Sequence, residues 1–280
     1  MVEKMINGIY RFYVLIIGIF LYAPIGVLIV LSFNNSRSRV VWEGFTLKWY
    51  VSLIHNRQIM SALLTSLGLA FLSSLIALVI GTAAALGITS MKRKGFRVMM
   101  ALTNIPMLNA DIVTGIALML WIIQFMPLGF NSVLISHITF NIPYVILAVM
   151  PKVRTMNLSI YNAGRDLGAG PARAFFTLML PQLSGGMVSG FFMAFTMSMD
   201  DFVITYFTKG AGVNTLSTMI YGEIRKGIKP EMYALSTIIF TFVFVILIVV
   251  NNGSVLNHGH HRSAEEGEGL QADKQPDIYR

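Results

Sequence analysis

The sequence predicts an all-α membrane protein with six transmembrane helices, and three observations support this fold class. Hydrophobic residues make up 55% of the 280 residues, charged residues only 12%, and the mean hydropathy is +0.68. Uncharged stretches recur that are long enough for the about 20 residues of a bilayer-spanning helix. The alternating pattern of membrane β-barrel strands is not found. This composition excludes a soluble enzyme and a disordered protein, and the lack of cysteine excludes disulfides.

The apolar stretches predict where each helix lies. Pro127 and Gly129 separate the third helix from the fourth. We expect Asp111 near the middle of the third helix, and Asp200 and Asp201 toward the outer end of the fifth. The six predicted helices lie near 12–32, 61–90, 98–124, 131–151, 182–207 and 232–252, within a transmembrane domain of residues 12–256.

Loop charge predicts the orientation. Lys92, Arg93 and Lys94 occupy a very short loop, where an excess of basic residues most reliably marks the cytoplasmic side. Residues 1–11 and 257–280 are then cytoplasmic, and the latter form a polar tail that we expect to be disordered. The net charge of +8 is attributed to basic loops beside anionic lipid and not to a nucleic-acid partner.

Enzyme motifs are missing from the chain. Neither a phosphate-binding loop of the G-x-x-x-x-G-K-[ST] kind nor the zinc motif H-E-x-x-H occurs. The histidines at 258, 260 and 261 belong to the polar tail and are weak evidence for a metal site. We therefore predict a protein that is not an enzyme, with no catalytic residue and no metal ligand.

A long connection, residues 152–181, links the fourth and fifth predicted helices on the cytoplasmic side. Ile160, Ala163 and Leu167 recur at helical spacing and predict a short amphipathic helix. Gly168 suits the left-handed position that ends a helix, and Pro171 follows as a stop signal. An ordinary helix–turn–helix at the membrane surface would show the same features.

The spacing within this connection resembles the cytoplasmic EAA loop of ABC importer permeases. Ala163 and Gly168 match that pattern, as do Leu178 and the Leu180-Pro181 ending, whereas Asn162 stands where the family usually has Glu. Gly164 stands where the family has Ala. The missing carboxylate at position 162 removes one contact expected with an ATPase subunit. The resemblance implies an ATPase-coupling surface of Asn162, Ala163, Gly164, Asp166, Gly168, Leu180 and Pro181.

Further motifs resemble the PotC-type permeases of spermidine/putrescine ABC transporters over about residues 10–252. They are Ser32-Phe33-Asn34, Gly44-Phe45-Thr46, Lys48-Trp49-Tyr50, Ser136-His137-Ile138-Thr139-Phe140, Asp166-Leu167-Gly168-Ala169 and Ser198-Met199-Asp200-Asp201. The resemblance implies a type I importer fold in the plasma membrane, with a five-helix core after one peripheral helix. It also implies a sister permease, two copies of a cytoplasmic ATPase and an extracytoplasmic polyamine-binding protein. ATP and Mg would bind to the ATPase, and this chain would hold no cofactor.

Three acids within the apolar stretches require a reason. An aspartate at mid-membrane costs roughly 2.5–3.5 kcal/mol on insertion scales. Polyamines carry several ammonium groups, whose passage requires carboxylates or polarised oxygens. The resemblance therefore supports Asp111, Asp200 and Asp201 as substrate-pathway residues, although adjacent helical residues point about 100° apart and only one of the last two would face the lumen squarely. The alternative is that these acids pair with a cation or hydroxyl of another helix or of the sister permease.

Aromatic residues and one histidine are weaker candidates. Trp42, Trp49 and Tyr50 lie in the first outer loop and could stack on an ammonium group, but such residues more often form the interfacial aromatic belt. His137 lies in an apolar helix, where we expect a hydrogen-bonded structural role in preference to a proton relay.

The sequence thus predicts the permease subunit of an ABC importer for polyamines, driven by ATP hydrolysis on partner subunits. One alternative is an ABC permease for another organic cation. A second is a proton-coupled secondary carrier that uses Asp111 and Asp200 as relay groups, and a third is a structural membrane scaffold.

Overall fold

The computed structural model describes residues 2–38, 40–241 and 244–245. Helices dominate this part of the chain, and the one β-bridge in it joins Asn34 to Phe45. The α-helices are α1 Val2–Ser32, α2 Lys48–His55, α3 Arg57–Thr89, α4 Arg93–Leu108, α5 Asp111–Ile122, α6 Phe130–Thr155, α7 Leu158–Asp166, α8 Pro171–Ala174, α9 Leu180–Asp200, α10 Val203–Thr208, α11 Leu216–Lys226 and α12 230–241, and Phe175–Met179 forms a π-helix.

Within the described residues, four helical segments are long and apolar enough to cross a membrane, or five if the bent pair of α4 and α5 counts as one span. The predicted all-α membrane fold is therefore confirmed. α1 begins well before the predicted start at residue 12, so most of the predicted cytoplasmic N-terminus is helical. The predicted sixth helix, 232–252, begins within α12, but much of it and the whole predicted tail, 257–280, lie outside the described residues.

The prediction of one continuous third helix over 98–124 was wrong. α4 ends at Leu108 and α5 begins at Asp111, with a bend of 104° between them. Pro106 lies in the last turn of α4 and removes a backbone donor there, and the Asn109 N–H closes that turn on Ile105 O at 3.1 Å. Asp111 therefore lies at the first position of α5 and not at the middle of a helix.

The predicted fifth helix, 182–207, is also divided differently. A helical segment from Pro171 to Asp200 includes the π-helix, which ends two residues before Pro181. A proline has no backbone N–H, and its ring clashes with the carbonyl four residues earlier in a regular α-helix. The C-terminal end breaks at Asp201, because its carboxylate accepts the backbone N–H groups of Ile204 and Thr205 and so begins α10.

The described residues form two compact units, the first built from the chain up to His55 together with the residues from Lys229 onward. Asn34 organises the loop between α1 and α2 in this unit. Its side chain donates to Val41 O at 2.8 Å and accepts the backbone N–H groups of Ser36 and Glu43. Ser52 of α2 donates to the Glu231 carboxylate of α12 at 3.1 Å, which ties the two ends of this unit together.

The second unit, residues 56–228, is built around α3, α6 and α9. α6 fills the space between the other two helices with Val145: a β-carbon on Gly81 would lie 2.7 Å from Val145 Cβ, and one on Gly190 would lie 3.4 Å from Val145 Cγ1. Small residues let helix backbones approach closely in a membrane. They recur here at every fourth position, as Ser73, Ala77, Gly81 and Ala85 on α3 and as Gly186, Gly190, Ala194 and Ser198 on α9, and all eight are buried.

Gly81→Ala should destabilise the second unit. The new methyl group would meet Val145 at its own β-carbon, which cannot move without the backbone of α6, and overpacking of this kind costs about 1–3 kcal/mol. The melting temperature of the purified protein checks this. Gly68→Ala is the matched control, since nothing lies within 4 Å of a β-carbon there. Equal melting temperatures for the two variants would contradict this account of the packing.

Candidate functional site

The three predicted pathway acids line one cavity. Its volume is about 190 Å³, and it lies in the second unit, at the beginning of α5 and the end of α9. Asp111 is the first residue of α5, Asp200 the last of α9, and Asp201 follows at once. The lining residues are Asp111, Phe140, Met197, Asp200, Asp201, Phe202 and Val203. The lining therefore contains three carboxylates and no basic side chain.

The break between α4 and α5 brings Asp111 to the cavity. α5 packs along α10, and Gly115 permits the close approach, since a β-carbon there would lie 3.1 Å from the Phe207 ring. If the third helix were continuous, Asp111 would lie within it and not at the start of a helix that packs on α10. The bend that sequence reasoning missed is thus the feature that joins Asp111 to the acids at the end of α9.

The three acids have different surroundings. Both carboxylate oxygens of Asp201 accept hydrogen bonds. Oδ1 accepts Ile204 N–H at 3.1 Å, and Oδ2 accepts both the N–H and the hydroxyl of Thr205 at 2.8 Å. Asp111 and Asp200 are exposed and make no hydrogen bond or ion pair within the described part of the chain. Their carboxylates are therefore open to a cation, whereas the oxygens of Asp201 are already engaged.

His137 connects the acid cavity to the helix core. Its side chain is 2% exposed and that of Asp201 is 8% exposed, with Nε2 at 3.3 Å from Asp201 Oδ2. Nε2 also lies 2.8 Å from the Thr205 hydroxyl, and Nδ1 lies 2.6 Å from the Ser198 hydroxyl. Ser198 in turn meets Ser73 of α3 at 3.1 Å. The expectation of a hydrogen-bonded histidine is confirmed, and we refer to these five residues as the polar layer.

Aromatic rings complete the cavity, and sequence reasoning did not assign them to it. Phe140 of α6 is buried, and Phe202 is stacked on Tyr221 with ring centroids 4.1 Å apart. The faces of aromatic rings attract cations and pack against methylene groups. Carboxylates beside such rings form a site suited to an organic cation. The spacing of Phe140, three residues after His137 on α6, is the sequence signal that places it nearby.

The connection between α6 and α9 contains the predicted short helix, α7, and its predicted ending. Gly168 has φ +86°, a left-handed conformation that a β-carbon disfavours. Its N–H donates to Arg165 O and the next N–H, of Ala169, donates to Gly164 O, both at 3.0 Å. This pair of bonds is a Schellman motif, which satisfies the last carbonyls of the helix. Asn157 begins the helix by accepting Ser159 N–H at 2.9 Å.

The residues of the predicted coupling surface lie on and beside α7. Leu178 of the π-helix packs onto Gly164 so closely that a β-carbon there would overlap its Cδ1 atom. The backbone N–H of Asn157 donates to Gln182 Oε1 at 3.1 Å, which also ties α7 to α9. Asn162, Ala163 and Asp166 are exposed, and Leu180 and Pro181 begin α9. Their coupling role stays a prediction.

Trp49, which lies in α2, departs from the prediction that it could stack on an ammonium group. Its side chain is only 6% exposed, and its indole N–H donates to Asn34 O at 2.7 Å, so it is a packing residue and cannot stack on a solute. The Tyr50 hydroxyl lies 2.7 Å from the Ser32 hydroxyl and its ring contacts Phe33. Trp42 is exposed, so an aromatic contact there stays a prediction.

Long apolar helices with a carboxylate cavity among them define a multi-pass membrane protein with a polar site in its helical bundle. The chain belongs to the family of binding-protein-dependent transport system inner membrane components, whose model matches residues 77–256. This family membership confirms the predicted class of transport permease. The match includes the acid cavity, α7 and every residue of the polar layer except Ser73.

Two characterised relatives cover most of this chain. The putrescine transport system permease protein PotI of Escherichia coli (strain K12) is 33% identical over 246 residues, which cover 85% of this chain and 88% of PotI. The spermidine/putrescine transport system permease protein PotC of the same strain is 35% identical over 230 residues, which cover 82% of this chain and 87% of PotC.

Solved structures of ABC importers share the fold. A bacterial alginate ABC transporter in complex with an alginate pentasaccharide-bound periplasmic protein matches with a TM-score of 0.64 and 14% identity over 88% of this chain and 92% of that one. An amino acid ABC transporter matches with a TM-score of 0.51 and 17% identity over 74% and 98%. The predicted type I importer fold is confirmed.

Gly168→Val should loosen the C-terminal end of α7. A β-branched side chain disfavours the left-handed backbone and would open the Schellman motif, at a cost of about 1–2 kcal/mol. Hydrogen exchange of the Leu167, Gly168 and Ala169 amides should accelerate about tenfold. Gly170→Ala is the control, because Gly170 has φ −61° and open space around it. Unchanged exchange in Gly168→Val would contradict this assignment of the motif.

Proposed function

We propose that this chain is a permease subunit of an ABC importer that carries polyamines across the plasma membrane. The observation that carries the proposal is the cavity in which three acids meet two aromatic rings and no basic residue. Such a lining attracts cations and repels anions. The relatives PotI and PotC are named for putrescine and for spermidine/putrescine transport, which supports polyamines as the cations.

The exposed acids would compensate the substrate charge. Asp111 and Asp200 are free of protein partners within the described residues, so each can accept an ammonium group without breaking an existing bond. The intervening methylenes of the polyamine would pack on Phe140 and Phe202. Each ammonium group at the ends of a polyamine would thus meet a carboxylate when it leaves water.

The chain itself would carry out no ATP chemistry. In the proposed complex, two copies of a cytoplasmic ATPase bind ATP and Mg, and α7 with the start of α9 receives their movement. The exposed side chains of Leu158, Ile160 and Leu167 support a protein partner at this segment, because apolar side chains on a cytoplasmic helix are otherwise left in water. The direct packing of Leu178 on Gly164 would pass the movement to α9.

A sister permease and an extracytoplasmic binding protein would complete the assembly. One of the solved structures with this fold contains a periplasmic protein bound to its transporter, which supports that kind of partner. We propose that both termini are cytoplasmic, on the evidence of Lys92, Arg93 and Lys94 at the start of α4, directly after the short turn from α3. Alternate opening of the cavity to the two sides would then move the substrate inward.

Asp111→Asn and Asp200→Asn should each reduce polyamine uptake about tenfold or more, because each change removes one charge at nearly constant volume. Uptake is measured in proteoliposomes and normalised to assembled complex. Glu43→Gln, which removes an exposed carboxylate outside the cavity, is the control. Wild-type uptake in both cavity variants, at equal assembly, would mean that the substrate does not depend on these acids.

Leu167→Glu should weaken the binding of the ATPase subunit by about tenfold or more, since it places a charge where the partner would bury an apolar side chain. Leu167 is 90% exposed, so folding of the permease should be unaffected. Val40→Glu makes the same change at a 93% exposed site in the first outer loop and should leave ATPase binding unchanged. Co-purification of the ATPase checks both variants, and equal recovery would argue against α7 as the docking segment.

A further inference from the structure

The polar layer forms one continuous chain of five hydrogen-bonding contacts through the second unit. From one end to the other, they join Asp201 Oδ2 to the Thr205 hydroxyl, that hydroxyl to His137 Nε2, His137 Nδ1 to the Ser198 hydroxyl, that hydroxyl to Ser73, and the Ser73 hydroxyl to Ala70 O. The contacts are 2.8, 2.8, 2.6, 3.1 and 3.2 Å long. Both ends are oxygens that accept when the carboxylate is ionised.

The number of hydrogens available to these five contacts depends on the charge of His137. Each of the three hydroxyl groups, of Thr205, Ser198 and Ser73, supplies one hydrogen. A neutral imidazole supplies one more, which leaves one of the five contacts without a hydrogen. One additional proton on the His137–Asp201 pair completes all five contacts. All five contacts therefore carry a hydrogen only when this pair is neutral overall.

The surroundings of Asp201 decide where that proton lies. Its two oxygens accept backbone N–H groups from Ile204 and Thr205, at 3.1 and 2.8 Å, and hydrogen bonds of this kind favour the ionised carboxylate. His137 Nε2 faces Oδ2 at 3.3 Å, an arrangement that is attractive if the nitrogen carries a hydrogen and repulsive if both atoms present lone pairs. The proton belongs on His137, with both ring nitrogens as donors.

We propose that His137 is a positioning and specificity-determining residue: as a buried imidazolium it cancels the charge of Asp201, so that the cavity offers a substrate two net negative charges, those of Asp111 and Asp200. This inference rests on the proposed function for its consequence in transport. Two free carboxylates match the two ammonium groups of a diamine. Loss of the imidazolium would add a third charge, which favours a triamine.

The other helices around His137 supply no competing charge among the described residues. α3 contributes Ser73, α9 contributes Ser198, and α10 contributes Thr205, none of which titrates near neutral pH. Asp111 and Asp200 line the neighbouring cavity and are the remaining acids there. The counter-charge of the imidazolium is therefore Asp201.

The protonation state can be read without any transport measurement. The full chain, labelled with ¹⁵N-histidine and assembled with its partner subunits in nanodiscs, is compared with the same complex of His137→Gln at neutral pH. The signals lost in the variant belong to His137 and separate it from the other four of the five histidines. We expect both ring nitrogens to be protonated. One protonated and one unprotonated nitrogen would overturn the proposal, whether or not the complex transports polyamines.

Uptake of labelled spermidine and putrescine then tests the consequence. His137→Gln keeps a hydrogen-bonding side chain but removes the charge, and should raise the spermidine-to-putrescine uptake ratio by about tenfold. The double variant His137→Gln with Asp201→Asn restores two cavity charges and should return the ratio to within about twofold of the wild type. Ser136→Ala is the control, since this buried neighbour donates only to Ser132 O and lies outside the polar layer.

The variants remain informative if a single change prevents assembly. An unpaired buried charge destabilises a protein, whereas a neutral pair does not. Recovery of assembly in the double variant, relative to His137→Gln alone, would support the charge pair, and equal loss in both would overturn it. If the wild-type complex takes up neither polyamine, the proposed function fails while the nitrogen spectrum still decides the charge of His137.

Discussion

The close contact of α6 with α3 and α9 is the constraint on which the rest of the structure depends. Val145 can pack this closely on α3 only because Gly81 has no β-carbon, and a β-carbon on Gly190 would just reach contact with Val145. The hydrophobic effect does not drive helices together in lipid. Close packing and interhelical hydrogen bonds therefore hold the bundle together. The same close approach brings Ser198 within bonding distance of both Ser73 and His137, so the polar layer is a consequence of the small residues on α3 and α9.

α9 connects the two functional regions of the second unit. It begins at Leu180, next to the π-helix that packs on α7, and it ends at Asp200, in the acid cavity. A helix of this length spans about 30 Å, the thickness of the hydrocarbon core. Movement of α7 would therefore reach the cavity through one rigid element, and the break at Asp201 lets the final acid turn inward to His137 while Asp200 stays open.

The sequence was sufficient for the fold class, for the turn at Gly168 and for the identity of the cavity acids, because long uncharged stretches, a glycine before a proline and carboxylates within apolar stretches are local signals. It was not sufficient for the bend between α4 and α5. Many membrane helices tolerate a proline such as Pro106, and only the packing of α5 against α10 decides whether the helix breaks there. Likewise, Trp49 resembles an interfacial residue in sequence, and only its bond to Asn34 O reveals it as packing. The polar layer depends on residues more than 60 positions apart in sequence, such as His137 and Ser198, and no local pattern brings them together.

Uptake of labelled polyamine by proteoliposomes that hold this chain with its sister permease, ATPase and binding protein tests the central claim most directly. The account predicts uptake that requires ATP, the binding protein and this chain together, and none by this chain alone. Uptake by the purified chain without nucleotide, driven by a proton gradient, would contradict it and identify a secondary carrier.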